Sequence, residues 1–464
     1  MSAPDSDVLV FFGATGDLAY KQIFPTLQAM IRHGRLDMPI VGVAKSGWNL
    51  DQFKARARDS LEHHGGVDPT AFERLCSRLR YVDGDYNDPD LFKRLRKTLG
   101  GAKHPLHYLA IPPSLFGVVA EELARSGCAE GARVVVEKPF GRDLASAREL
   151  NRVLHASFAE DDVFRIDHYL GKEAVLNLIY FRFSNPTIEA AWNNQHVESV
   201  QITMAEDFGI VGRGKFYDET GAIRDVVQNH MLQVIACLAM DCPTASGHEA
   251  LRDQRRRLLR AVRPLDPSDV VRGQFRGYRD EPGVAPDSDV ETFAAVRFHI
   301  DNECWKGVPF FVRAGKRLPV TTTEVLVRFR RPPRPVLDEE GPPLGNYFRF
   351  RLSPDVVIAL GTKVKRPGES LQGERIELIA HHQAPDAMTP YERLLGDAAR
   401  GDPTLFARED AVESGWRVVE PVLGDVVPLH MYEPGAWGPT DVDRFPTPEG
   451  GWHDPREEPR EAPL

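Results

Sequence analysis

Across residues 1–140, short β-rich apolar runs alternate with stretches of helical periodicity, and this alternation constrains the chain more than any other feature. A strand that is followed by a helix and then by another strand rejoins its sheet through a crossover. Repeated βα units therefore specify a parallel sheet with helices packed on its faces. Strands are predicted at Val8–Phe12, Pro39–Ala44, Arg80–Asp83, His107–Ile111 and Arg133–Glu137. Helices, with apolar residues three and four positions apart, are predicted at Leu18–His33, Leu50–His63, Pro69–Leu79, Pro89–Leu99 and Ser114–Arg125. The pattern predicts an α/β, Rossmann-like domain over residues 1–170.

Beyond about residue 180 the period changes to two. Alternating runs at Val200–Met204, Ala295–Ile300, Val325–Phe329, Tyr347–Leu352 and Glu377–Ala380 predict an α+β domain over 171–440, built on a large, mainly antiparallel sheet. One face of that sheet is expected to be solvated or to lie at a subunit interface. A helix over Ile223–Met240 should pack on the sheet. The proline-rich stretch 330–345 and the chain from Pro439 read as loop-like, with 441–464 a flexible tail. Two domains suit 464 residues at roughly 100–200 per domain.

Charge narrows the partners. With 58 basic and 68 acidic residues the formal net is −10, so no global positive field holds nucleic acid or an anionic membrane. An anionic ligand must be met by a local basic pocket. The Arg255–Arg257 run is most simply a solvated helix face. No apolar run reaches the ~20 residues that span a bilayer, and the segment MSAPDSDVLVFFG lacks the charged start of a signal peptide. Five cysteines, an odd number with no C-x-x-C, suit a reducing cytoplasm better than disulfides or a zinc site.

After the first strand the chain reads Gly13-Ala14-Thr15-Gly16-Asp17-Leu18-Ala19. Glycines allow a tight turn and close approach to a pyrophosphate, while the following helix start offers unpaired N–H groups. The plain alternative is an ordinary βα turn. At the second strand's end, where NAD enzymes place a carboxylate for the ribose 2′-OH, stand Lys45 and Ser46. A cation there favours the 2′-phosphate of NADP, with NAD the weaker alternative, and otherwise Lys45 is a solvated loop lysine. Lys138, at the end of the fifth strand and before a proline, is aimed into the crevice where open α/β sheets bind ligands, or is a simple strand-end lysine.

Residues Arg165-Ile-Asp167-His168-Tyr169-Leu-Gly171-Lys172 put an acid, an imidazole, a phenol and a lysine into one short turn before a helix. His168, Tyr169 and Lys172 supply the converging donors that a phosphate needs. Asp167 would instead orient an imidazolium, if a second histidine approaches in space. His230 is the candidate: it lies on the apolar stripe 223, 226, 227, 230, 234, either as a satisfied core histidine or as a general base.

The segments GATGDLAYKQIFP, EKPFGRDL, RIDHYLGKE, GRGKFYDETGAIRDVVQNH, ETFAAVRFHIDN and VPFFVRAGK occur in this order, and the chain resembles the glucose-6-phosphate dehydrogenase family from about residue 8 to about residue 442. The resemblance implies a homodimer or homotetramer built on the large sheet. The implied reaction is oxidation of glucose 6-phosphate at C1 to 6-phosphoglucono-δ-lactone with hydride transfer to NADP, the first step of the oxidative pentose phosphate pathway, with no metal. It implies His230 as proton acceptor and Asp167 as its orienting partner. His168, Tyr169 and Lys172 would hold the phosphate, with Lys138, Glu206, Asp225 and Lys316 around the sugar. The loop from Gly13 to Leu18, Lys45, Asp85, Tyr86 and Lys138 would meet the cofactor. Two positions depart from the family pattern: Lys45 stands where arginine is usual, and Thr321 where a second basic residue often follows Lys316. Sugar oxidoreductases of the glucose-fructose oxidoreductase type share the strand-end E-K-P, but the phosphate-binding set speaks against them.

Overall fold

The computed structural model describes all residues except 1–3, 211, 246, 333–344, 369–371, 383–386, 446–450 and 457–464. Most of the predicted 330–345 loop therefore lies outside the described residues. The chain divides into two compact units.

Unit one holds six parallel strands: β1 (Val8–Phe12), β2 (Ile40–Ala44), β3 (Leu79–Asp83), β4 (Pro105–Leu109), β5 (Arg133–Glu137) and β6 (Val163–Ile166). Their order, β3-β2-β1-β4-β5-β6, reverses direction between β1 and β4, and that reversal is the switch point at which such sheets bind ligands. β1, β2, β4, β5 and β6 are buried along their whole length, as expected of strands covered by helices on both faces. Asn49 starts the helix Leu50–His63 with a capping box to Gln52, and Asp68 and Asp88 cap Pro69–Arg78 and Pro89–Leu99. The predicted helix over 18–33 opens as a π-helical turn, Ala19–Ile23, and becomes α-helical only over Phe24–Arg32.

Segments 243–253 and 388–413, which fall inside the predicted 171–440 domain, group with unit one. The helix Pro390–Arg400 packs on Phe24–Arg32 and on the turn His168–Gly171. Its buried Glu392 carboxylate takes hydrogen bonds from His33 Nδ1 (2.6 Å) and Arg35 Nη1 (3.1 Å), which ties it to the parallel-sheet unit.

Unit two carries nine strands: β7 (Val197–Ala205), β8 (Val270–Phe275), β9 (Phe293–Phe298), β10 (Phe310–Gly315), β11 (Thr322–Phe329), β12 (Tyr347–Ser353), β13 (Val357–Lys365), β14 (Gly373–His381) and β15 (Leu429–Tyr432). Their order is β14-β13-β12-β11-β7-β10-β9-β8-β15, antiparallel except at β7–β10 and β8–β15. The predicted helix 223–240 is π-helical over Ile223–Met231 and α-helical over Leu232–Ala239. The flexible tail expected from 441 is corrected over two stretches. Thr440–Arg444 forms a 3₁₀ turn. Residues 451–456 dock on the sheet: Gln201 Nε2 donates to Gly451 O (3.1 Å), His453 N–H to Gln201 Oε1 (2.8 Å) and Arg313 Nη2 to His453 O (2.7 Å). Gln201 and Arg313 are buried polar side chains that need these partners.

Candidate active site

In unit one, Gly13 turns the chain at φ +74°, and a Cβ there would strike Ala110 O, so the position requires glycine. Its N–H donates to Tyr86 Oη (2.8 Å), and Tyr86 donates to Val43 O (3.1 Å). Ala14 N–H reaches Val43 O (3.3 Å), Gly16 N–H returns to Gly13 O (2.9 Å), and the Thr15 and Ser46 hydroxyls lie 2.7 Å apart. Asp17, followed by Leu18 at the helix start, pairs with Lys21 at the exposed rim (3.3 Å). The result is a compact glycine turn beside the switch point, whose shape lets a dinucleotide pyrophosphate approach the backbone closely.

Lys45 follows β2, and its Nζ lies 2.6 Å from Asp85 Oδ2. Asp83, which sequence reasoning passed over, holds this corner: its Oδ1 accepts from Ser46 N–H (3.0 Å), Gly47 N–H (2.8 Å) and Tyr81 Oη (2.9 Å). The usable signal was its place as a carboxylate at a parallel strand's carboxyl end.

Also in unit one, the end of β5 carries Glu137 and Lys138. Glu137 is buried, and its carboxylate accepts from Tyr108 Oη at 2.5 Å and from Tyr391. Burial pushes Glu137 up to about 7. Tyr391 heads the helix Pro390–Arg400 and stacks on His168, with centroids 6.3 Å apart and planes at 13°. Asp167 is buried, and its Oδ1 accepts from Tyr169 N–H (3.0 Å), which closes the turn that carries His168 and the buried Tyr169. Gly171 sits under this helix, where a Cβ would meet Pro390 O at 2.9 Å.

In unit two, Lys172 stands at the N-terminus of the helix Glu173–Phe183. β7 and β10 run parallel with Ala205 opposite Gly315, so the residues that follow them leave the sheet together. There Glu206 pairs with Lys316, whose ammonium lies 5.0 Å from the Phe208 ring centroid and 5.6 Å from that of Tyr217. Burial raises the Tyr217 phenol well above its ordinary value, and the neighbouring Asp225 and Glu206 carboxylates raise it further. Asp225 and the buried His230 share the π-helical segment, whose i→i+5 repeat sets them one turn apart. Thr321 bonds Asp207, and Arg317 faces Glu281 (3.8 Å).

Family models described as the NAD-binding domain and the C-terminal domain of glucose-6-phosphate dehydrogenase match residues 10–177 and 179–453. The chain belongs to the glucose-6-phosphate dehydrogenase family. It is 44% identical to glucose-6-phosphate 1-dehydrogenase 1 of Mycobacterium tuberculosis, covering 97% of each chain. It is 38% identical to the enzyme of Aggregatibacter actinomycetemcomitans over 94% of this chain and 95% of the relative. A crystal structure of glucose-6-phosphate 1-dehydrogenase from Mycobacterium avium superposes with a TM-score of 0.92 at 45% identity, covering 98% of this chain and 100% of the other. A structure described as a glucose-6-phosphate dehydrogenase in complex with its substrate glucose-6-phosphate gives 0.88 at 35% identity, with 96% and 98% covered.

Within the family frame, unit one brings together the glycine loop, Lys45, Asp85 and Tyr86, and separately Asp167, His168 and Tyr169. Unit two brings Glu206, Lys316 and Asp225 around Tyr217, with His230 on the same helical segment as Asp225. Tyr391 was missed, because nothing in its local sequence marks a residue so far from the RIDHY turn as that turn's neighbour.

Proposed function

We infer that this chain oxidises β-D-glucose 6-phosphate at C1 to 6-phosphoglucono-δ-lactone, with NADP the preferred and NAD the weaker acceptor. Membership of the family over nearly the whole chain carries the reading. The cradle from Gly13 to Leu18 fits a dinucleotide by its close-packed glycine turn and its place beside the switch point. A bound nicotinamide supplies the hydride acceptor.

The chain's own residues do the rest. His230 takes the proton from the C1 hydroxyl as the C1–H electron pair leaves as hydride, and the C1–O bond becomes the lactone carbonyl. Asp167 has the role of orienting carboxylate. His168, Tyr169 and Lys172 bind the phosphate dianion, and Lys316 and Lys138 meet the sugar with Glu206 and Asp225. Lys45 answers the 2′-phosphate. We assign the chain to a homodimer or homotetramer. The large apolar side chains Leu378 and Ile379, exposed on the edge strand β14, support an interface there.

The test is absorbance at 340 nm with glucose 6-phosphate or glucose, each with NADP or NAD. Turnover is expected with the phosphorylated sugar, faster with NADP. His230→Asn should lower kcat by roughly 10²–10⁴ while the protein stays folded. Near-normal turnover in that variant would remove His230 as the base.

A further inference from the structure

We propose that Glu137 is a positioning residue for the substrate, acting through Tyr391 on the ring of His168 and, along the chain, on Lys138. The proposal rests on the substrate reading above, in which His168 binds the phosphate and Lys138 the sugar.

The geometry lies entirely within unit one. Glu137 is the last residue of β5, so its carboxylate and the Lys138 side chain leave adjacent positions at the ligand-binding end of the sheet. Two phenols converge on that carboxylate. Tyr108, on the neighbouring β4, donates at 2.5 Å and is almost fully buried. Tyr391 donates from the first turn of Pro390–Arg400 and is half-buried. The face of Tyr391 lies nearly parallel to His168, at 13°. A carboxylate that holds one aromatic ring by its hydroxyl thereby sets the plane on which the next ring rests. His168 has Tyr169 near one side (5.2 Å between centroids) and Tyr391 near another (6.3 Å), so both rings limit how it can turn.

The charge state of Glu137 controls this arrangement. Burial is the largest influence on it, opposed by Tyr108, Lys138 and Tyr391. The groups that face the network are Tyr108 from β4, Lys138 from β5, Tyr391 from the helix, and Asp167 and His168 from the turn. Burial and Glu137 keep both tyrosines as neutral phenols. An ionised Glu137 offers lone pairs to both hydroxyls. Once protonated, it loses the charge that strengthens both bonds, and the two phenols are left bonding a neutral acid. Tyr108 is held in the core and Tyr391 is the less buried of the two, so the weakened bond frees Tyr391 first and loosens the ring that lies against His168.

Glutamine has the shape of the protonated acid, so Glu137→Gln freezes that state. The experiment measures kcat and the KM values for glucose 6-phosphate and NADP across about pH 5.5 to 9 for the wild type, Glu137→Gln, Tyr391→Phe and the double variant. Above about pH 8, each single variant should raise the KM for glucose 6-phosphate roughly five- to tenfold, the size of one ordinary hydrogen bond, since the contact acts on the substrate only through His168. Below about pH 6 the variants should converge on the wild type. The kcat and the KM for NADP should stay within about twofold, and the double variant should be no worse than either single one. A KM ratio that does not change with pH, a fall in kcat at constant KM, or additive effects would overturn the proposal. Tyr391→Phe, which removes one oxygen from a half-buried ring, keeps the test readable should Glu137→Gln misfold. A wild type inactive on glucose 6-phosphate defeats the substrate reading and this proposal with it. An active wild type with pH-independent ratios defeats only the proposal.

Discussion

Asp85 is an anion throughout the neutral range, because Lys45 and the Asn87 amide and backbone N–H hold its carboxyl down at about 2. Lys45, the cation proposed to meet a 2′-phosphate, is thus already paired with a carboxylate 2.6 Å away. Both side chains are substantially exposed, so water and salt screen the pair, and the effect of either charge on cofactor choice is modest. Asp85→Asn should lower the KM for NADP relative to NAD by up to about fivefold, the ceiling for an exposed pair, and Lys45→Ala should shift the ratio the other way. Initial rates with both cofactors decide it, and a ratio unmoved by Asp85→Asn would show that Asp85 does not face the cofactor's ribose. The sequence marked Lys45 as a cation at a strand end, but its pairing was hidden. Residues 45 and 85 meet because β2 and β3 run parallel with Ala44 opposite Asp83, a register that no local pattern records.

At the scale of elements, periodicity located the helix that carries His230 but not its type. The stripe 223, 226, 227, 230, 234 marks a buried face in α- and π-helices alike, so the wider first half, which carries Asp225 and His230, left no trace in the pattern. Strands β6 and β10 were missed for a different reason: each carries a fully buried arginine that reads as polar. Arg165 is neutralised by Glu160 (2.9 and 2.8 Å) and also donates to Asn151 Oδ1 (2.9 Å), and Arg313 is neutralised by Asp454 (2.7 Å). The start of the His230 helix is set by Gly221, at φ 69° and ψ 173°, a conformation essentially confined to glycine. Glu291 Oε1 accepts from Ile223 N–H at 3.0 Å, and a Cβ on Gly221 would meet that carboxylate at 2.6 Å. Gly221→Ala should therefore destabilise the protein by about 1–3 kcal/mol, lower the thermal midpoint by several degrees and reduce kcat by moving His230. Unchanged melting and turnover would show that the helix start tolerates the displacement.

For the whole molecule, a net charge of −10 describes the surface and says little about the proposed sites, to which the reading above assigns Lys45, Lys138, Lys172 and Lys316. Among the described residues no helix is long and apolar enough to cross a membrane. Composition was a poorer guide at the tail, because averaging over prolines and acids hides single anchors such as Trp452 and His453. Trp452 packs on Phe311 (5.9 Å between centroids), with the Arg313 guanidinium 5.0 Å from its centroid. His453 Nε2 lies 2.7 Å from buried Glu324, which Arg349 and Arg351 also contact at 3.1 Å each, and Arg351 donates to Arg456 O (2.8 Å). A variant ending at residue 450 should lose about 2–4 kcal/mol, less than a fully buried pair because Asp454 is half-exposed, and should melt well below the full chain. Burial pushes Glu324 up, but His453, Arg349 and Arg351 outweigh it and hold the carboxyl below its ordinary value. A depressed carboxyl stabilises the fold above its unfolded pKa of about 4.3 and loses that contribution as pH falls through the folded value. The gap in melting temperature between the two chains should thus be full at neutral pH and narrow below about pH 4, as Glu324 takes up its proton. Equal melting at neutral pH would mean that the docked segment adds no stability, and a gap that persists undiminished in acid would place its contribution in Arg313 and Trp452 rather than in Glu324.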